Sequence, residues 1–387
     1  MLNFEFYNPA KIIFGKGTEE SVGERSANFG KNILLHYGGG SIKKNGIYDK
    51  VIKSLKEQNL NIFELGDVKP NPRLSLVRKG IQMCKDNNID FILAVGGGSV
   101  IDSAKAIAIG AKYDGDVWDF FVKGTIAKEA IPLGVVLTIP AAGSESSTST
   151  VITNDEDNNY KRGMQSLEYI PKFAILNPEF CYTLPKYQIA CGCCDILAHL
   201  MERYFTEVEN VELSDRLIEG AVKTIINNGT IAYNDNTNYD AWAEIMWTGT
   251  IAHNNLLNMG RTGDWASHQI AHELSGIYDL THGAALSIVM PAWMKYVYKH
   301  NIDKFYQFAT RVFHIIDEDK EKAVLKMIDK LESWYKQLEL PTRLADANIE
   351  PVRFEEMAER AFLHKEVIGN FKKLYKEDLV KIYNLCV

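Results

Sequence analysis

Short runs of apolar and β-branched residues recur through the first half of the chain: KNILLHY (31–37), LNIFEL (60–65), DFILAV (90–95), PLGVVLTI (132–139) and FAILN (173–177). They are too continuous for a sheet with one wet face and predict strands buried on both sides. Between them the apolar spacing predicts helices near 44–58, 73–88 and 99–111. Such strand–helix alternation predicts a parallel sheet covered on both faces. A further stretch, FEFYNPAKIIF (4–14), reads as an exposed N-terminal strand. After Pro185 the texture changes. Residues 186–387 carry amphipathic helical patterns near 186–206, 211–229, 239–258, 284–299, 303–315, 320–337 and 373–385, with no convincing strand. The reading is an α/β domain over 1–180 and an all-helical domain over 181–387. No Gly/Ser-rich linker separates them, and a cleft between domains is the default place for a site.

Composition narrows the class. The 387 residues are 46% hydrophobic and 24% charged, which suits two globular domains and excludes a disordered chain, a collagen or a coiled coil. No apolar run approaches the ~18–20 residues that cross a bilayer, and the N-terminus lacks the basic start and apolar core of a secretory signal. The net charge of −7, with basic residues scattered, argues against a nucleic-acid partner. A soluble, cytoplasmic protein is expected. Cys84, Cys181 and Cys386 stand alone, while Cys191, Cys193 and Cys194 crowd together, which is no secreted disulfide framework. The CGCC run reads either as a dithiol or as small buried thiols on a helix.

Two glycine motifs follow strands and lead into helices: Gly38-Gly39-Gly40-Ser41 and Gly96-Gly97-Gly98-Ser99. Glycines at such a turn let backbone N–H groups approach a phosphate at the positive end of a helix. Neither copy fits G-x-G-x-x-G. The second continues as GGGSVIDSAK, placing Asp102 and Lys105 on the first turns of the helix, and a third polar loop, Thr138 to Glu145 with Ser144, follows the next strand. Three loops at the carboxyl ends of parallel strands predict a Rossmann-like, dinucleotide-binding domain. From Arg25 to Tyr48 there is no Asp or Glu to hold a ribose 2′-hydroxyl, and Lys43 and Lys44 follow the first loop. NADP(H) is therefore the expected cofactor, with NAD(H) also usable.

In the second half, Asp195 and His199 are four apart on a predicted helix; His268 and His272 repeat that spacing, and His282 follows. A carboxylate with imidazoles suits a divalent metal such as Fe²⁺ or Zn²⁺. Five candidates exceed a tetrahedral shell, so one histidine is free to carry protons.

Together GGGSVIDSAK, TIPAAGSE, DILAHLMERYF and HQIAHELSGIYDLTHGAALSIVMP resemble the iron-containing (group III) alcohol dehydrogenase family over essentially the whole chain. GGGSIKKNGIYDKV resembles its butanol dehydrogenase and NADPH-dependent aldehyde reductase branch. The resemblance implies Asp195, His199, His268 and His282 as metal ligands, with His272 near the metal but not on it. It implies Gly97, Gly98 and Ser99 on the pyrophosphate, Thr138 and Ser144 beside the cofactor, and Lys161 reaching the nucleotide. The CGCC before Asp195 and Ala141-Ala142 before GSE depart from the family's usual residues. The implied activity is interconversion of primary alcohols and aldehydes by hydride transfer, with the metal as Lewis acid, His272 as proton relay and a homodimer as the assembly. Rival readings are polyol oxidation of the glycerol dehydrogenase kind, a lyase like dehydroquinate synthase, and a catalytically silent nucleotide- or metal-binding module. The lyase needs basic residues around a phosphate, and between 250 and 285 only Arg261 is positively charged among Lys and Arg.

Overall fold

The five apolar runs and the end of the N-terminal stretch assemble into one parallel sheet in the computed structural model, which describes every residue except His364. The strands are β1 (Lys11–Phe14), β2 (Asn32–Tyr37), β3 (Asn61–Leu65), β4 (Phe91–Gly97), β5 (Leu133–Ile139), β6 (Ser149–Asn154), β7 (Tyr160–Gln165) and β8 (Phe173–Leu176). The sheet order is β1-β8-β5-β4-β2-β3, every neighbouring pair parallel. β4 and β8 are buried along their whole length, as unbroken apolar runs require. From β2 the chain moves outward to β3 and then returns to lay β4 on the other side of β2. The order thus reverses between β2 and β4, the point where such sheets open a crevice at their carboxyl ends.

Two expectations change here. The N-terminal strand is short: only Lys11–Phe14 pairs, with β8, and the residues before it form no strand. An antiparallel hairpin, β6–β7, was not anticipated. Its segments STVITN and YKRGMQ carry too few apolar residues to announce a strand, and backbone pairing makes the ribbon.

The chain divides into two compact units. One comprises residues 7–184 and 236–254, the other residues 1–6, 185–235 and 255–387. The division is therefore not a single cut near residue 180. Helix Tyr239–His253 belongs with the α/β unit, where Thr250 donates a 2.6 Å hydrogen bond to the buried Glu145. Residues 1–6 belong with the helical unit, where the Leu2 N–H donates to the Gly260 carbonyl at 2.8 Å.

In the helical unit the first helix is Lys186–Tyr204, and every residue from Ile189 to Tyr204 is buried. Small thiols in the CGCC run suit a helix enclosed on all faces. Helices Ala266–Tyr278 and His282–Val297 pack beside it, and Gly283 allows the closest approach, since a Cβ there would run into the Cys191 carbonyl. Phe205, Trp293, Phe305, Phe308 and Phe371 build an aromatic core behind them. No helix among the described residues is long and apolar enough to cross a membrane.

Candidate active site

The metal-type cluster is built by three helices of the helical unit. Asp195 and His199 lie one turn apart on Lys186–Tyr204; His268 comes from Ala266–Tyr278, and His282 opens the next helix. Three imidazole Nε2 atoms converge on one carboxylate oxygen: His199 and His268 lie 3.8 Å and His282 3.9 Å from Asp195 Oδ1. These separations exceed hydrogen bonds. They are close to the roughly 3.4 Å that ~2.1 Å bonds at a tetrahedral angle impose on two ligands of one ion. Asp195, His268 and His282 keep their ligand atoms within 4.8 Å of one another, and His199 stacks on His268 with ring centroids 4.7 Å apart. His268 Nε2 is buried without a hydrogen-bond partner. Burial opposes charge on this imidazole, but Asp195 and Glu202 outweigh it and raise its pKa above the usual value. The spot favours a cation, so the donor set fits a divalent metal.

His272, the expected proton carrier, is half-buried one turn beyond His268, its ring 5.3 Å from that of His282. The thiols do not join the cluster. Burial pushes Cys191 and Cys193 up to about 12, so they stay protonated, and all six cysteines are buried and outside any disulfide. Of the two readings of CGCC, the buried one is observed. Two residues here escaped sequence reasoning: Glu202, whose only signal was its place three residues after His199, and Trp265, whose ring flanks His268 and His199.

The three loops expected to hold the nucleotide lie in the α/β unit, at the ends of β2, β4 and β5. Helix Gly98–Gly110 begins directly after β4 with no side chain capping its N-terminus, leaving N–H groups of Gly98 and Ser99 available to an anion. The glycines there are packing requirements: a Cβ on Gly97 would press on Ile139, and one on Gly98 on Ala142. Gly96 is similarly closed against Val100. Gly143, at φ 63°, turns the third loop, and Thr138 and Ser144 are buried. Asp102, expected at the cofactor, is held within the fold. Its carboxylate accepts from Ser144 Oγ at 2.6 Å and from the Val151 N–H at 2.9 Å, and burial raises its pKa. It ties the helix to the third loop and the hairpin. Lys105 is also structural, donating to the Ser147 and Ser149 carbonyls, and burial pulls its pKa down to about 8. Lys161, on β7, is buried and donates to Asn71 Oδ1 at 2.9 Å.

At the first loop Gly39, Gly40 and Ser41 are exposed. The expectation of a corner without carboxylates is corrected by tertiary pairing. Glu64 of β3 accepts from the Tyr37 and Tyr48 hydroxyls at 2.8 and 2.7 Å, and Lys43 Nζ lies 3.9 Å from it over both tyrosine rings. β3 lies next to β2 in the sheet, which is how a residue far along the chain reaches this corner.

Comparison with known proteins identifies the family. The family model for iron-containing alcohol dehydrogenase matches residues 9–178, and that for the C-terminal part of the Fe-containing alcohol dehydrogenase family matches residues 189–387. The chain is 45% identical over 384 residues to a probable NADH-dependent butanol dehydrogenase of Bacillus subtilis, covering 99% of each. It is 36% identical to an NADPH-dependent aldehyde reductase of Escherichia coli K12, covering 90% of each. The crystal structure of an NADH-dependent butanol dehydrogenase from Thermotoga maritima superposes with a TM-score of 0.97 at 40% identity, covering 100% of this chain and 99% of that one. The chain belongs to the iron-containing alcohol dehydrogenase family, in its butanol dehydrogenase and aldehyde reductase branch.

Proposed function

We propose that this protein is a cytoplasmic, homodimeric, metal-dependent reductase of short-chain aldehydes, acting also as a dehydrogenase of butanol-like primary alcohols. The observation that carries the reading is the convergence of three imidazoles on Asp195 Oδ1 in a family of alcohol dehydrogenases. Asp195, His199, His268 and His282 hold Fe²⁺ or Zn²⁺. Gly97, Gly98 and Ser99 hold the pyrophosphate through backbone N–H groups, with Thr138, Ser144 and Lys161 beside the nucleotide. When bound, the dihydronicotinamide supplies a hydride and the divalent ion polarises the carbonyl oxygen. Trp265 walls the ligand histidines against water, and His272 delivers the proton that the product alcohol requires.

NADP(H) is the favoured nucleotide and NAD(H) is also used. Exposed backbone from Gly39 to Ser41 and the Lys43 ammonium favour a 2′-phosphate, while Glu64 narrows the margin. The dehydroquinate-synthase-like alternative gains no support from Arg261. Its buried guanidinium is committed to the Arg203 and Val211 carbonyls and to Asp215. The cytoplasmic placement draws on six cysteines that form no disulfide, which suits a reducing compartment. The dimer draws on β1, an edge strand, and on the exposed apolar side chains of Met1, Leu2, Phe4, Phe6 and Tyr7 before it.

The test is oxidation of NAD(P)H by butanal, followed at 340 nm. Chelation should abolish it, Fe²⁺ or Zn²⁺ should restore it, and His268→Ala should remove metal and activity while the α/β unit stays folded. Full turnover in metal-free protein would overturn the reading.

A further inference from the structure

Glu202 lies seven residues after Asp195 and three after His199, so the three side chains share one side of the same helix. It is 1% exposed. Its Oε1 accepts from the backbone N–H of His268 at 3.0 Å and pairs with His268 Nδ1 at 2.8 Å, while Oε2 accepts from the Trp265 N–H at 2.5 Å. Those backbone groups begin helix Ala266–Tyr278, whose N-cap residue Trp265 supplies no side-chain cap, while Asp264 Oδ2 accepts from the Ala266 N–H at 3.2 Å. Trp265 takes the left-handed conformation, φ 66°, a costly one for a tryptophan, and in it both N–H groups reach the same carboxylate. A negative side chain also suits the positive end of that helix.

This arrangement has a consequence for the imidazole. A carboxylate accepts and does not donate, so the proton of neutral His268 sits on Nδ1. The lone pair then sits on Nε2, the atom that faces Asp195. We propose that Glu202 is a positioning residue of the metal centre: by capping the helix and fixing the His268 tautomer with one carboxylate, it aims Nε2 at the ion and makes that nitrogen a stronger donor. A cap alone needs only the backbone bonds; the Nδ1 bond gives Glu202 its hold on the ligand. The inference rests on the metal reading given above. General experience with histidine ligands puts the loss of such a partner at about 10–100-fold in metal affinity.

The experiment uses the full chain loaded with Co²⁺, in the wild type, Glu202→Gln and Glu202→Ala. Affinity is read by competition with a chromophoric chelator and geometry from the visible ligand-field bands. Proton NMR of the zinc form follows the hydrogen-bonded Nδ1–H downfield. Glu202→Gln should bind cobalt about 10-fold more weakly and Glu202→Ala about 100-fold, with shifted bands and the downfield proton lost from the alanine variant. If Glu202→Ala does not fold, the glutamine variant decides alone. Wild-type affinity and bands in either folded variant, with only the melting temperature lowered, would reduce Glu202 to a helix cap and overturn the proposal. Failure of the wild type to bind cobalt would instead sink the metal reading itself, and this inference with it.

Discussion

His36 sits fully buried in β2, below the first glycine loop. Its Nδ1 pairs with the Leu65 carbonyl at 2.8 Å, and its Nε2 with Ser103 Oγ on helix Gly98–Gly110 at 2.9 Å. Burial pulls its pKa down to about 4 from an ordinary 6.5. The unfolded chain therefore takes up a proton first as pH falls. Stability is complete above about pH 6.5 and is lost toward pH 4, by about 3 kcal/mol at the lower end. Urea titrations near pH 7 and near pH 4 should show His36→Gln less stable at neutrality yet losing less on acidification. Glu64 makes a second residue-scale case. Removing its charge in Glu64→Gln should raise the ratio of kcat/KM for NADPH over NADH by roughly 5-fold, the size of one partly exposed charge pair; an unchanged ratio would place the 2′-phosphate elsewhere. His272→Ala should keep its metal and lower turnover by about 10²-fold, with a flattened pH–rate profile. Wild-type turnover would hand the proton transfer to another group.

At the scale of elements, the cluster depends on how closely two helices meet. Gly283 lies against the Cys191 carbonyl, one residue from His282 on one helix and one turn before Asp195 on the other. Gly283→Ala should force the helices apart, cost about 1–3 kcal/mol as overpacking does, and weaken metal retention. Thermal melting and metal content measure the two effects. Elements such as these differ in how far sequence discloses them. The parallel strands were legible because burial on both faces leaves unbroken apolar runs, as in DFILAV, and the Asp/His cluster because Asp195–His199 and His268–His272 keep helical spacing. Helix Ala266–Tyr278 was absent from the pattern-based helices although its histidine spacing was noted; it opens on a left-handed Trp265 rather than on a conventional cap. Hairpin β6–β7 was hidden by its polar composition. Glu64 and Glu202 were hidden for another reason: each acts on residues that only tertiary pairing brings beside it, β3 beside β2 in one case and helix beside helix in the other.

For the whole molecule, light scattering at micromolar concentration should give twice the chain mass, and a monomer would contradict the proposed dimer. The interleaved division of the chain has a separate consequence, for its manufacture. The α/β unit borrows helix Tyr239–His253, and the helical unit anchors the first residues through Leu2 on Gly260 and the N-terminal amine on the Glu209 carbonyl. As the ribosome delivers the chain from its N-terminus, the α/β unit cannot be completed until about residue 254 has left the exit tunnel, and the helical unit, which holds residues 255–387, waits longer still. At roughly 5–20 residues per second that delay is on the order of 10–50 s. Throughout it Glu145 waits without the Thr250 hydroxyl that will accompany its burial. A nascent chain stalled between residues 184 and 235 should thus leave its α/β unit open to protease where one stalled well beyond 260 shields it, so that even the first unit to be completed waits for a helix delivered long after its sheet.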